Sequence, residues 1–153
     1  IPDFGSEEPT GFLAPETKIL MQLKKANLLV AGAAVQHYGT ALVDEQEALM
    51  RLADMAMEVY VLESALLKTQ RLAGRLSEEE NQRRGLLATL QAHHAAEKCL
   101  SAGREVIMGL PENDEQRMML MGLRRFTKTP SVNLKNLRRK VAQYVLEKGK
   151  YPF

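Results

Sequence analysis

From Glu16 to Lys148 the apolar residues return at three- and four-residue steps, and no run alternates between apolar and polar in strand fashion. A 3.6-residue period gathers such residues on one face of a helix. In the first helix the face is Ile19, Leu23, Ala26, Val30 and Ala33/Ala34, and Gly39 is a plausible stop. The run Ala31–Ala34 has little side-chain bulk and would let another backbone approach closely. Asp44 with Glu47 reads as a capping box opening a second helix over about 45–73. Ser77 with Glu80 reads as another, opening a third helix that runs to about Met108. Its residues Leu86, Leu90, His93/His94, Glu97, Leu100, Arg104 and Ile107 fall near one another. Gly109 and Pro111 close it. A shorter helix starts with Glu112, Asp114 and Glu115 and ends with Arg124 and Arg125, charges that complement the helix dipole. Met118, Met119, Leu120, Met121, Leu123 and Phe126 are its expected buried side. After Pro130, Ser131 or Asn133 can cap a last helix with the stripe Leu134, Leu137, Val141, Tyr144 and Val145, stopped at Gly149. Five helices on short loops predict an all-α antiparallel bundle.

The chain of 153 residues suits one domain. Residues 1–15 hold Pro2, Gly5, Pro9, Gly11 and Pro15, which break any helix, so they read as an extended lead-in. Phe4 and Phe12 could pin it to the domain proper, residues 16–153. The start at Ile1 suggests an excised piece of a longer protein, and the acidic lead-in lacks the basic start of a signal peptide. The charge-free run Ala26–Val43 holds Asn27, Gln36, His37, Thr40 and two glycines, so it reads as a buried helix entering a loop rather than a membrane span. Cys99 is alone, which forbids an internal disulfide and fits a reducing compartment; a cytoplasmic location is expected.

The second helix is apolar most of the way round between residues 48 and 67. Its expected core stripe is Leu49, Leu52, Ala53, Ala56, Val59, Tyr60, Leu66 and Leu67. Met50, Met55, Met57, Val61 and Leu62 are extra to that stripe, and Met50, Met57, Val61 and Leu62 would otherwise face water. Burying each would be worth roughly 1.5–3 kcal/mol, so cover is expected from the first helix or from another subunit. The small residues at 31–34 favour cover within one chain.

A search for chemistry comes back nearly empty. His93 and Glu97 share a helix face, but a di-iron bundle site needs Glu-x-x-His on two helices with two further glutamates, and that set is missing. No base is placed to activate Cys99, which reads as a buried, inert thiol. No phosphate loop, glycine fingerprint or HExxH motif occurs. No catalytic, cofactor-binding or metal-ligating residue is therefore assigned. Charge is uneven: residues 1–116 carry 11 basic and 18 acidic side chains, residues 117–153 carry 10 basic and one acidic. Lys135, Arg138, Arg139 and Lys140 are the candidates to face an anion. Aromatic stacking platforms do not interleave with them, which argues against nucleic acid. Lys18, Lys24 and Lys25 ahead of an apolar run would suit a membrane surface, but a core helix with a solvated, lysine-rich first turn is the commoner case. A free-standing interaction module, binding nucleic acid or anionic membrane through the basic end, is the alternative function.

The segment Leu42–Val61 resembles the start of the extra C-terminal domain of very-long-chain acyl-CoA dehydrogenases and their bacterial relatives. The resemblance rests on Asp44-Glu45-Gln46, Leu49, Arg51-Leu52-Ala53-Asp54 and Glu58-Val59-Tyr60. Leu76-Ser77-Glu78, the pair Arg125 and Phe126, and the tail Gly149, Pro152, Phe153 follow in the family's order, so the likeness spans about residues 16–153. It implies a non-catalytic helical domain that supports the fold and dimer of a flavoenzyme. The FAD and the catalytic glutamate would lie in the parent's other domains, because the family's Glu-Gly-Thr-Asn stretch does not occur here. It also implies three partners: the flavin domains of the same chain, a second copy in a homodimer, and an electron-transfer flavoprotein in fatty-acid β-oxidation.

Overall fold

The computed structural model describes residues 9–150. Five α-helices follow one another: α1 (Ala14–Tyr38), α2 (Gln46–Ala73), α3 (Glu78–Met108), α4 (Asp114–Phe126) and α5 (Leu134–Lys148). No strand occurs among the described residues, and the chain is an all-α bundle. The expected roles of Phe4, Pro2, Gly5, Pro152 and Phe153 lie outside the described residues.

The ends of the elements follow local chemistry. Ser77 accepts from the Glu80 backbone N–H while its own N–H donates to the Glu80 carboxylate, the full capping box at the start of α3. Asn113 caps α4 and Asn133 caps α5, each through its side-chain oxygen. Gly149 ends α5 in the left-handed region with φ 63°, which a residue without a Cβ adopts freely. The capping box expected at Asp44 does not form. A 3-10 segment, Gly39–Asp44, runs up to α2, Glu45 takes the N-cap position, and no side chain caps that end.

α2 and α3 form the central antiparallel pair, and α1 packs on both and on α4. α5 touches α3 and no other helix among the described residues. The face expected of α1 is buried as read, from Ile19 to Ala34. On α3 the leucines flank the core, and the central stripe is small instead: Ala88, Ala92, Ala95, Ala96, Cys99, Ala102 and Gly103. Close approach occurs there rather than at residues 31–34. A Cβ on Gly103 would lie 3.0 Å from Leu123 and 3.1 Å from Val30, whereas one on Gly32 would meet nothing within 4 Å. On α4 only Leu123 and Gln116 are buried; Met118 and Met121 are exposed, because one short helix laid on α1 and α3 has only one covered side. Gln116 donates to the carbonyls of Ile107 and Leu110, which closes the α3–α4 corner.

Candidate functional site

α2 decides what surface the bundle presents. Its inward row is Leu52, Met55, Val59, Leu62, Leu66 and Thr69, with Met55 and Leu62 fully buried. That row is rotated from the stripe expected from sequence. Leu49, Tyr60 and Leu67 point outward, Tyr60 with 72% of its surface exposed. Met55, which the sequence placed outside the stripe, is fully buried instead, and charged residues flank the inward row. Arg51 reaches Glu105 of α3, Glu58 lies 3.8 Å from His94 of α3, and Glu63 binds Lys24 of α1. These pairs accompany the rotation, and the apolar residues on both sides of α2 leave the sequence pattern alone unable to choose it.

Of the four residues expected to need cover, the structure separates one from three. Leu62 is core. Met50, Met57 and Val61 stay exposed on the single chain, so the cover by α1 expected from the small residues at 31–34 does not occur. The outward row reads Leu49, Ala53, Ala56, Met57, Tyr60, Ser64 and Leu67, all exposed, with Met50 and Val61 beside it. It spans about 27 Å along the helix at 1.5 Å per residue. A bare apolar band of this kind on a helix whose other side already completes a core marks an interaction surface. Glu45 and Glu47 are exposed at its start; Lys68 and Arg71 are exposed at its end, followed by Arg75 just beyond the helix. None of these five forms an ion pair among the described residues.

The other candidates do not assemble. His93 is buried and Glu97 exposed, and no three metal-ligating side chains converge among the described residues. Cys99 is buried against the Met55 carbonyl; burial, with Glu58 nearby, pushes its thiol up to about 12, so it is no nucleophile near neutral pH. Lys135, Arg138, Arg139 and Lys140 are all exposed on α5. Tyr144, on the other side of that helix, is buried beneath Arg83, whose guanidinium lies 3.7 Å from the ring centroid. Lys135, Arg138 and Arg139 therefore form a solvated helix side, while Lys140 also borders an open hollow of about 350 Å³ that Glu79, Arg83, Tyr144 and Glu147 share. No helix of the described residues is long and apolar enough to cross a membrane.

The cleft between α1 and the α3–α4 corner holds about 190 Å³, below the roughly 300 Å³ at which small-molecule sites begin. Larger hollows, about 620 Å³ beside Ile19 and Arg125 and about 630 Å³ beside Tyr38 and Arg51, lie on the surface of the bundle.

Comparison with known proteins agrees with the architecture. The profile of the family "Acyl-CoA dehydrogenase, C-terminal domain" matches residues 22–125. A probable acyl-CoA dehydrogenase of Bacillus subtilis (strain 168) is 34% identical over 146 residues, which is 95% of this chain and 25% of that protein. The crystal structure of an acyl-CoA dehydrogenase complexed with FAD from Bacillus anthracis superposes with a TM-score of 0.89 at 30% identity, over 99% of this chain and 27% of that one. The chain thus spans about a quarter of the length of these relatives.

Proposed function

The chain belongs to the acyl-CoA dehydrogenase C-terminal domain family, and from that premise we propose that it is the non-catalytic helical domain supporting the fold and dimer of an FAD-dependent acyl-CoA dehydrogenase. On this reading residues 16–153 are the domain and residues 1–15 join it to the flavin domains. The parent acts in the cytoplasm in fatty-acid β-oxidation, forming an α,β double bond in an acyl-CoA and passing the electrons to an electron-transfer flavoprotein. No step of that reaction falls to a residue of this chain.

One observation carries the proposal. The core of the bundle is complete, yet the outward row of α2 remains bare around Met57 and Tyr60. A domain that contributes surface rather than chemistry has that form. The test is the parent enzyme with and without this domain. Without it, bound flavin is expected to remain while assembly and thermal stability fall. A 153-residue chain that purifies yellow with flavin, or oxidises an acyl-CoA in the presence of an electron acceptor, overturns the proposal.

A further inference from the structure

We propose that the acidic pair Glu7 and Glu8 of the lead-in docks in the basic hollow between the start of α1 and the end of α4. This hollow, about 620 Å³, is lined by Lys18, Ile19 and Gln22 of α1 and by Arg125, Lys128 and Pro130 at and beyond the end of α4. Three cations border it, and among the described residues no carboxylate does. Arg125 and Lys128 are exposed and form no ion pair among the described residues. Like charges gathered round a concave surface with apolar walls raise its attraction for an anion.

The course of the chain brings acid to this place. Pro9, the first described residue, borders the hollow, and so do Ala14, Pro15 and Lys18 beyond the turn that opens α1. That turn is fixed. Gly11 has φ 86°, and Leu13 has φ 64°, the one non-glycine residue with positive φ among the described residues. The left-handed region is strained for leucine, and burial of its side chain in the core holds it there. The Ala14 N–H donates to the Gly11 carbonyl across the turn. Glu7 and Glu8 lie outside the described residues, but covalent geometry sets their reach. The Glu8 Cα is about 3.8 Å from that of Pro9, and the Glu7 Cα at most about 7 Å. A residue before proline favours extended backbone, in which successive side chains point to opposite sides. The hollow has cations on both walls, Lys18 on one and Arg125 with Lys128 on the other. The inference concerns this chain alone and stands apart from the parent's activity. On the reading of residues 1–15 as the join to the flavin domains, the docked acids fix the direction in which the bundle leaves them.

Cleavage between Glu7 and Glu8 by a glutamate-specific protease reads the docking, because the protease needs a free segment. A synthetic peptide of residues 1–12 gives the rate for the undocked sequence. At low ionic strength the 153-residue chain should be cut more slowly than the peptide. Arg125→Glu with Lys128→Glu should speed the cut roughly two- to thirtyfold, the range that two exposed ion pairs span. Salt at about 1 M should do the same, relative to the peptide. Arg125→Gln with Lys128→Gln should act in the same direction without adding acid to α4, and the melt should stay unchanged. Glu7→Lys with Glu8→Lys moves the cut to trypsin. That chain should lose its first residues quickly, and adding Arg125→Glu with Lys128→Glu should slow the loss again. A chain cut as fast as the peptide overturns the docking, and so does a rate that neither salt nor the α4 substitutions alter. If those substitutions leave the cut unchanged but abolish binding of the parent's purified flavin domains, the hollow belongs to those domains. The docking then falls while the reading of the chain as a supporting domain stands.

Discussion

Gly103 and Gly32 are both helical glycines, yet their surroundings give opposite expectations. Alanine at Gly32 meets open space and gains helix propensity, so Gly32→Ala should stabilise by about 0.5–1 kcal/mol. Alanine at Gly103 would press on Leu123 and Val30, both fully buried and without room to yield. The overpacking cost of about 1–3 kcal/mol then exceeds the same propensity gain, and Gly103→Ala should lower the melting temperature. Val61 and Leu62 make a second contrast between neighbours. Leu62→Glu sets an unpaired carboxylate in the core and should cost more than about 4 kcal/mol, enough to threaten folding. Val61→Glu faces water and should leave the melt within about 0.5 kcal/mol. Cys99 adds a dependence on pH. Its thiol ionises at about 12 when folded against 9.0 for the free group. The folded state therefore holds the proton more tightly, and this contribution is intact below pH 9 and lost between about 9 and 12. Thiol labelling should follow unfolding, and Cys99→Ala should flatten the alkaline side of the stability profile.

At the level of the element, what was legible in the sequence divides by the range of the forces involved. The Ser77–Glu80 box was readable because all its atoms lie within four residues of one another. It also titrates: hydrogen bonds from Ser77 hold the Glu80 carboxyl below the usual carboxylate range. Its support for α3 is thus present above the free carboxylate pKa and lost as pH falls through the depressed value; Ser77→Ala should cost α3 about 1 kcal/mol at neutral pH and reduce that acid dependence. The box expected at Asp44 failed because the 3-10 segment moved the start of the helix to Gln46. The rotation of α2 was unreadable, since apolar residues on both of its sides offer two stripes and only packing against α1 and α3 decides which is buried. The face of α3 was missed for another reason. Alanine weighs little in a hydrophobic pattern, yet seven small residues there set how near α1, α2 and α4 can come.

Across the whole molecule, cohesion is uneven. α1 to α4 share one core, whereas α5 is held on α3 through Tyr144 and its neighbours. Tyr144→Ala should speed amide exchange along α5 while leaving α2 and α3 protected. The candidate surface was half legible at this scale. Composition revealed that α2 had more apolar residues than one core could use, but the side left bare follows from the assembled bundle. The corner at Gln116 has a consequence for engineering. Its side-chain amide serves two carbonyls, at Ile107 and Leu110, so the end of α3 is finished by a residue of α4. The turn between those helices is part of a buried polar joint and should reject inserted sequence. The turn at Gly74 and Arg75 is itself exposed, but the Asn81 side-chain amide of α3 donates to the Ala73 carbonyl at the end of α2, a single bond where the Gln116 corner has two, so an insertion between Gly74 and Arg75 should be tolerated better than one at that corner. Both turns are thus stitched by a side-chain amide from the following helix, twice at Gln116 and once at Asn81, and their tolerance of inserted sequence should follow that difference.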